Sequence, residues 1–389
     1  MIINPADRTL SVKEYYFSIK NKEIARINAS RPGDPVINLG IGSPDGAPSR
    51  EAVEAMVDCA RKATTHGYQS YIGIPELRHA IAGWYSRWYG VELDPASEIQ
   101  PLTGSKEGIL LLSLTFLNKG DKVLVPNPGY PTYTSATRMC EAEVVNYDLL
   151  EDGGWYPDFD QLESMDLTGV KLMWVNYPNM PTGGRARMET YERLVSFAQK
   201  HGLVVVNDNP YSFILSEEHL SILQVAGAKE CCIEFNSMSK SHNMPGWRVG
   251  LCASNPTFIS WILKVQSNIE SGTFRGIQLA AAEAYNNDEA WHREYNIETY
   301  ARRRQWAERI MDALGCRYDK HQVGMFLWGK IPESVKNVED LTERVLHEAR
   351  VFITPGFIFG TNGERYIRIS LCAKEEKLEE ALERIKNTL

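Results

Sequence analysis

Several things are missing from this chain, and each absence narrows what it does. No apolar run is long enough to cross a membrane: the longest, residues 108–117, is broken by Ser113 and Thr115 and falls far short of the ~20 residues a spanning helix needs. The seven cysteines are an odd number and no two stand in a C-x-x-C pair, so neither a disulfide framework nor a zinc site is indicated. The neighbours Cys231 and Cys232 do not alter this. Extended runs of Lys or Arg are absent, and 42 basic against 50 acidic side chains leave a formal net charge of −8, which gives no electrostatic footprint for nucleic acid. No basic segment followed by an apolar one opens the chain, so a secretion leader is not expected. The expectation is a reduced, cytoplasmic protein with no membrane, nucleic-acid or metal partner.

What is present is ordinary globular composition, 43% hydrophobic and 24% charged over 389 residues. At roughly 100–200 residues per domain this length suggests two or three domains with sizeable cores. The middle of the chain alternates short β-branched runs with longer helical patterns. Strands are expected at residues 122–125, 142–147, 171–175, 203–207 and 232–236. Helices are expected from Pro75, where Leu77, Ile81, Trp84 and Tyr85 keep helical spacing, over 106–117, and through Tyr191, Leu194 and Phe197. Strand–helix–strand units with apolar strands imply an α/β fold whose sheet is mostly parallel and covered on both faces. The last third changes character: long charged helical patterns at 291–314, 338–348 and 374–388 flank strand-like 325–329 and 366–370. This reads as a second, smaller α+β domain.

Four segments carry chemistry. Ser237-Met238-Ser239-Lys240 follows an expected strand, with Arg248 eight residues beyond the lysine. A lysine so placed, with hydroxyls and an arginine nearby, suits an amine that forms a Schiff base beside a bound phosphate; the bland alternative is a solvated loop lysine. Asp208, in Asp208-Asn209-Pro210-Tyr211, stands at the carboxyl end of a parallel strand, where α/β folds place ligands. Buried opposite a protonated ring nitrogen it would hold positive charge there, although a turn Asp before Pro is common. Thr103-Gly104-Ser105-Lys106-Glu107 lies at a strand-to-helix turn, where small residues and free N–H groups favour an anion; any Gly-Ser turn before a helix looks alike. Arg368 sits inside the alternating Tyr366-Ile367-Arg368-Ile369-Ser370 and needs an anionic partner, either a ligand carboxylate or an internal Asp or Glu.

Taken together and in order, Tyr68-x4-Gly73, Gly104-Ser105-Lys106, Pro128-Gly129-Tyr130-Pro131, Pro181-Thr182-Gly183, Asp208-x2-Tyr211, Ser237-x2-Lys240-x7-Arg248 and Arg368 resemble the class I/II aminotransferases, pyridoxal-phosphate enzymes of fold type I. The resemblance runs from Val36 to Arg368. It implies a large domain with a mostly parallel sheet at residues 47–284 and a small domain built from 1–46 and 285–389. It implies a ping-pong transfer of an α-amino group from an amino acid to a 2-oxo acid, with a carbon–sulfur lyase or decarboxylase on the same fold as the alternative. Lys240 would bind pyridoxal 5′-phosphate covalently and move protons, Asp208 would pair with the ring nitrogen, and Tyr211 with the ring oxygen, while Tyr130 would stack on the ring. Ser105, Lys106, Ser237, Ser239 and Arg248 would surround the phosphate; the Gly40 N–H and Arg368 would receive the substrate carboxylate. A homodimer with shared sites is implied as well, Tyr68 and the segment 271–275 reaching the partner's phosphate.

Tyr15-Tyr16-Phe17 in the N-terminal arm looks most like the branch that includes LL-diaminopimelate aminotransferase, in which positions matching Tyr15 and Lys106 contact substrate. Two departures stand out. The family usually reads Asn-Pro-Thr-Gly, its Asn donating to the ring oxygen, whereas here Met180 precedes Pro181. Either Tyr211 holds that oxygen alone, or Asn179 or Asn176 replaces the missing donor. Arg275 stands where the branch tends to have a small polar residue, and would face a phosphate, a distal substrate carboxylate or solvent.

Overall fold

A computed structural model describes residues 3–388. After an N-terminal helix at Tyr16–Ser30, β1 (Ile37–Asn38) leads to the main sheet of β2 (Ile99–Leu102), β3 (Lys122–Asn127), β4 (Glu143–Asp148), β5 (Val170–Val175), β6 (Val204–Asp208), β7 (Cys232–Ser237) and β8 (Gly250–Ala253). The spatial order is β2-β8-β7-β6-β5-β3-β4. β4, β3, β5, β6 and β7 are parallel, and β8 runs antiparallel to both its neighbours. All six residues of β7 are buried. That continuous burial is what a strand covered on both faces requires. Alternate residues of β3 feed two separate cores, Leu124 one and Val123 with Val125 the other. β8 has little β-forming character in Gly250-Leu251-Cys252-Ala253, and pairing with β7 and β2 makes it a strand.

The smaller unit contains β9 (Arg317–Tyr318), β10 (Phe326–Lys330), β11 (Val351–Phe352), β12 (Thr354–Pro355) and β13 (Tyr366–Ser370). Four of them form an antiparallel sheet in the order β12-β13-β10-β9, while β11 pairs in parallel with β1. Helices Tyr300–Ala313, Val338–His347 and Glu375–Thr388 accompany this sheet. Its core takes in Leu39 from the arm and Met180 and Tyr211 from the large unit, so the two units share packing beside the cavity described below.

Two expectations shift. The helix anticipated at 291–314 is interrupted by a π-helical stretch, His292–Thr299, before Tyr300–Ala313. The stretch from residue 285, expected in the small domain, begins in the large one: Tyr285 lies in the large core, and Asp288 accepts a hydrogen bond from Trp84 Nε1 at 2.6 Å.

Candidate active site

The strand order reverses at β3, with β4 on one side and β5, β6 and β7 on the other. Parallel sheets leave a crevice outside the carboxyl ends of strands at such a switch point. The segments leaving β3, β5, β6 and β7 bring Tyr130, Met180, Asp208 and Lys240 to one cavity of about 620 Å³. Motifs spread over more than a hundred residues meet because four parallel strands end on the same edge.

Lys240 lies in the single turn Met238–Ser241, whose start is capped by Ser237 Oγ accepting from the Ser239 N–H at 3.2 Å. Its buried amine donates to the Gly42 carbonyl. Burial lowers the amine's pKa, assisted by the charges of Arg368 and Arg248 and opposed by Cys372 and Asp208. Such an amine loses its proton more readily, as a nucleophile or base needs. Asp208 closes β6; its Oδ2 accepts from Tyr133 Oη at 2.9 Å, while its Oδ1 is buried without a partner. Burial pushes this carboxyl up to about 6, against the Tyr133 hydrogen bond and the Lys240 charge. Tyr211 is buried beside Phe326, and burial drives its phenol pKa upward.

Ser105, Lys106, Ser237, Ser239 and Arg248 line the cavity together. Ser105 starts a 12-residue helix, so its first N–H groups have no intrahelical partners. Gly104, at φ +88°, precedes it, and a side chain here would meet Arg248 Nη2 at 2.1 Å. Arg248 rests on the carbonyls of Pro245 (2.8 Å) and Thr103 (3.3 Å). Lys106 Nζ stands 4.1 Å from the centre of the Tyr15 ring. Burial, with the Arg248 charge, lowers the Lys106 pKa.

Arg368, also in the lining, is only 4% exposed. Its Nη2 donates to the Gly40 carbonyl at 2.7 Å, its Nη1 points at Met180 Sδ at 3.2 Å, and its Nε has no partner. Phe326 and Phe359 lie against the guanidinium, with ring centres 3.9 and 4.7 Å away. Burial lowers its pKa to about 10, so it stays charged at neutral pH. Among the described residues no carboxylate pairs with it, which removes the internal ion pair as an explanation. A buried cation left so is costly unless an anion joins it. The cavity lining as a whole holds Lys106, Lys240, Arg248 and Arg368 against a single acid, Asp208.

Residues 34–385 match the family described as aminotransferase class I and II. The chain belongs to that family. Its relatives include the LL-diaminopimelate aminotransferases of Halothermothrix orenii, 38% identical, and of Aquifex aeolicus, 37% identical, each covering 98% of both chains. Among solved structures, substrate-bound BacF from Bacillus subtilis superposes with a TM-score of 0.93 at 33% identity, over 100% of this chain and 98% of that one. An aspartate aminotransferase mutant from Thermus thermophilus gives 0.91 at 28% identity over the whole of both chains. These neighbours share the fold type I architecture, and this aminotransferase has the same large, mostly parallel sheet.

Of the other anticipated residues, Gly40 and Asn179 are engaged within the chain, and Arg275 and Tyr68 stand outside this chain's cavity. The Gly40 N–H is already given to Asn38 Oδ1 at 3.0 Å; Gly40 instead offers its carbonyl to Arg368. Asn179 is turned into its own loop, where Nδ2 donates to the Asn176 carbonyl and Oδ1 accepts from Thr182 Oγ1. Asn176 does line the cavity, but its Nδ2 is donated to the Asp208 carbonyl and its Oδ1 accepts the Met180 N–H at 2.8 Å. Arg275 pairs with Glu76 at 2.7 Å, outside the cavity. Tyr68 is 94% exposed. Sequence reasoning missed Tyr133, which holds Asp208, and Gly42, whose carbonyl takes the lysine amine. Tyr133, one helical turn beyond Tyr130, offered a spacing signal; Gly42, a backbone acceptor far from Lys240 in sequence, offered none.

Two clusters outside the cavity combine histidine with carboxylates at a spacing compatible with a metal: His242/Asp288/His292 and Glu23/Glu343/His347. In the first, Asp288 is already occupied by Trp84, Trp88, Arg87 and His292 as donors. The second is partly exposed and ties the arm to the helix Val338–His347 through the Lys20–Glu343 ion pair and the approach of His347 Nε2 to Glu23 at 3.3 Å.

Proposed function

We propose that the cavity holds pyridoxal 5′-phosphate and that the bound group works with Lys240, Asp208 and Tyr211 to move amino groups between a dicarboxylic amino acid and a 2-oxo acid. The observation that carries this is the pairing of two uncommitted buried groups in one cavity, the unpaired Arg368 cation and the unpartnered Asp208 Oδ1. Asp208 Oδ1 fits a protonated ring nitrogen, and the Ser105 helix start with Ser237, Ser239 and Arg248 fits a phosphate. When bound, the cofactor supplies a carbonyl carbon for an amine and a ring that withdraws electrons.

The protein's part is positioning and proton transfer. Arg368 would grip the α-carboxylate and fix the amino acid relative to the Lys240 amine, which would take the proton from the α-carbon and deliver it to the carbon that the cofactor's carbonyl supplies. Asp208 keeps a proton on the ring nitrogen, and Tyr133 keeps Asp208 in place. Lys106, which forms no ion pair among the described residues, suits a second carboxylate on the substrate, in keeping with the names of the relatives. Tyr68, together with Gly272 to which its neighbour Gln69 is bridged, suits the site of a second subunit; this supports a homodimer.

A half-reaction screen tests the reading. Mixing the loaded protein with dicarboxylic amino acids should convert the cofactor to its amine form and release one 2-oxo acid, and Lys240→Ala should stop this while still binding cofactor. Release of ammonia or a thiol without that conversion would overturn it.

A further inference from the structure

The π-helical stretch His292–Thr299 lies directly behind the lysine-bearing turn. Ser241, the residue after Lys240, ends that turn, and its carbonyl is one of the acceptors a helix terminus leaves without an internal partner. Two donors converge on this oxygen: Trp291 Nε1 at 2.8 Å and Asn296 Nδ2 at 2.8 Å. These residues are five apart. In an α-helix, at about 100° per residue, they would point about 140° away from each other. Bonding from i to i+5 widens the turn and brings residues five apart close to the same face. The widened helix is therefore what allows both side chains to reach one carbonyl.

The same stretch also secures the other end of the lysine. Tyr295, stacked on Trp291 with ring centres 5.0 Å apart, donates to Asp45 Oδ1 at 3.2 Å. Asp45 is paired with Arg303 at 2.9 Å and lies three residues after Gly42, whose carbonyl receives the Lys240 amine. Behind these contacts, Asn296 meets His292 Nδ1 at 2.6 Å, and His292 meets Asp288 at 2.8 Å. One short segment thus holds both the backbone that carries the lysine and the loop that receives its amine.

We propose that Trp291 and Asn296 are positioning residues for Lys240: the π-helical geometry sets where the amine stands before the cofactor and substrate arrive. This rests on the assignment of Lys240 given above, and the experiment separates the two. Trp291→Phe keeps the ring and its stack on Tyr295 and removes only the N–H; Asn296→Ala removes the amide; the double variant removes both donors. The groups that act on Lys240 through their charge, Asp208, Arg248, Arg368 and Cys372, are untouched, as are His242 and Asp288 on the segment side; Asn296→Ala also takes the amide away from His292 Nδ1, a contact that Trp291→Phe leaves in place. Three quantities are followed: the rate at which cofactor-free protein takes up pyridoxal phosphate, the pH midpoint of the resulting visible band, and kcat and KM for the amino acid.

The double variant should lose about tenfold or more in uptake rate and kcat with KM altered less than about twofold, and its pH midpoint should move. A double variant that melts at a lower temperature but keeps uptake, midpoint and kcat would overturn the proposal, since that is the mark of a structural contact alone. Full turnover by Lys240→Ala would instead remove the assignment of the lysine, whatever the other variants do.

Discussion

Met180 Sδ lies 3.2 Å from Nη1 of Arg368, so the residue on which the cavity departs from its family touches the arginine that has no carboxylate partner. A thioether accepts weakly and donates nothing. Asn179 is turned into its own loop, and Asn176 Nδ2 is donated to the Asp208 carbonyl while its Oδ1 accepts the Met180 N–H. Met180→Asn should add a donor beside the cofactor's ring oxygen, favour the ionised oxygen by roughly 1.5–3 kcal/mol, and lower the pH midpoint of the visible band by about 1–2 units. A spectroscopic titration of both proteins checks this; an unchanged or raised midpoint would sink the idea.

Arg368 is held by a carbonyl and aromatic faces, which orient it without neutralising it. Arg368→Lys keeps the charge and loses the planar fork that matches a carboxylate. The expected result is a fall in kcat/KM of about 10–100-fold for both the amino acid and the 2-oxo acid, as losing one charge-assisted hydrogen bond of the fork costs about 1.5–3 kcal/mol. Steady-state kinetics with each substrate varied in turn would show it. A loss confined to one substrate would mean that Arg368 does not serve the group common to both.

Asp208 gives a pH-dependent prediction for the cofactor-free protein. Its carboxyl is raised to about 6 in the fold, so the folded state favours the protonated form. The associated stability is present below the ordinary carboxyl pKa and is lost as pH rises toward and through 6. Asp208→Asn should therefore be more stable than the parent at pH 7.5, by on the order of 3 kcal/mol, and melt higher, with the gap closing near pH 4. Thermal melts at the two pH values decide it; an equal gap at both would mean that the charge is not the cause. The same variant should fail to transaminate.

Tyr68 and Lys240 test the shared site. If each cavity borrows the tyrosine of a second subunit, co-expressed Lys240→Ala and Tyr68→Ala chains should pair to give one intact cavity, and activity should exceed that of either variant alone. Sedimentation should give about twice the 44.0 kDa chain mass. A monomer, or no complementation, would refute the shared arrangement.

Much of this is legible in the sequence. β3, β5, β6 and β7 read as apolar runs because strands covered on both faces need no polar side, and Lys240, Asp208, Arg248 and Arg368 stood out because each is a charged or nucleophilic group set against such a strand. β8 was silent, since its four residues become a strand only through their neighbours. The π-helical stretch was hidden inside a charged pattern that counts as α-helical by periodicity.

Apart from β8 and the π-helical stretch, sequence alone determined the types of the main elements, the parallel sheet and the chemical identity of the cavity's charged groups, because these follow from local patterning and side-chain type. Tertiary structure decided which of those groups lack partners: that Arg368 meets no acid, that Asp208 keeps one free oxygen, that Gly40 offers its carbonyl rather than its N–H, and that Asn179 faces its own loop. Whether a buried polar group is satisfied depends on atoms far away in the chain, and only the packed fold brings those atoms together.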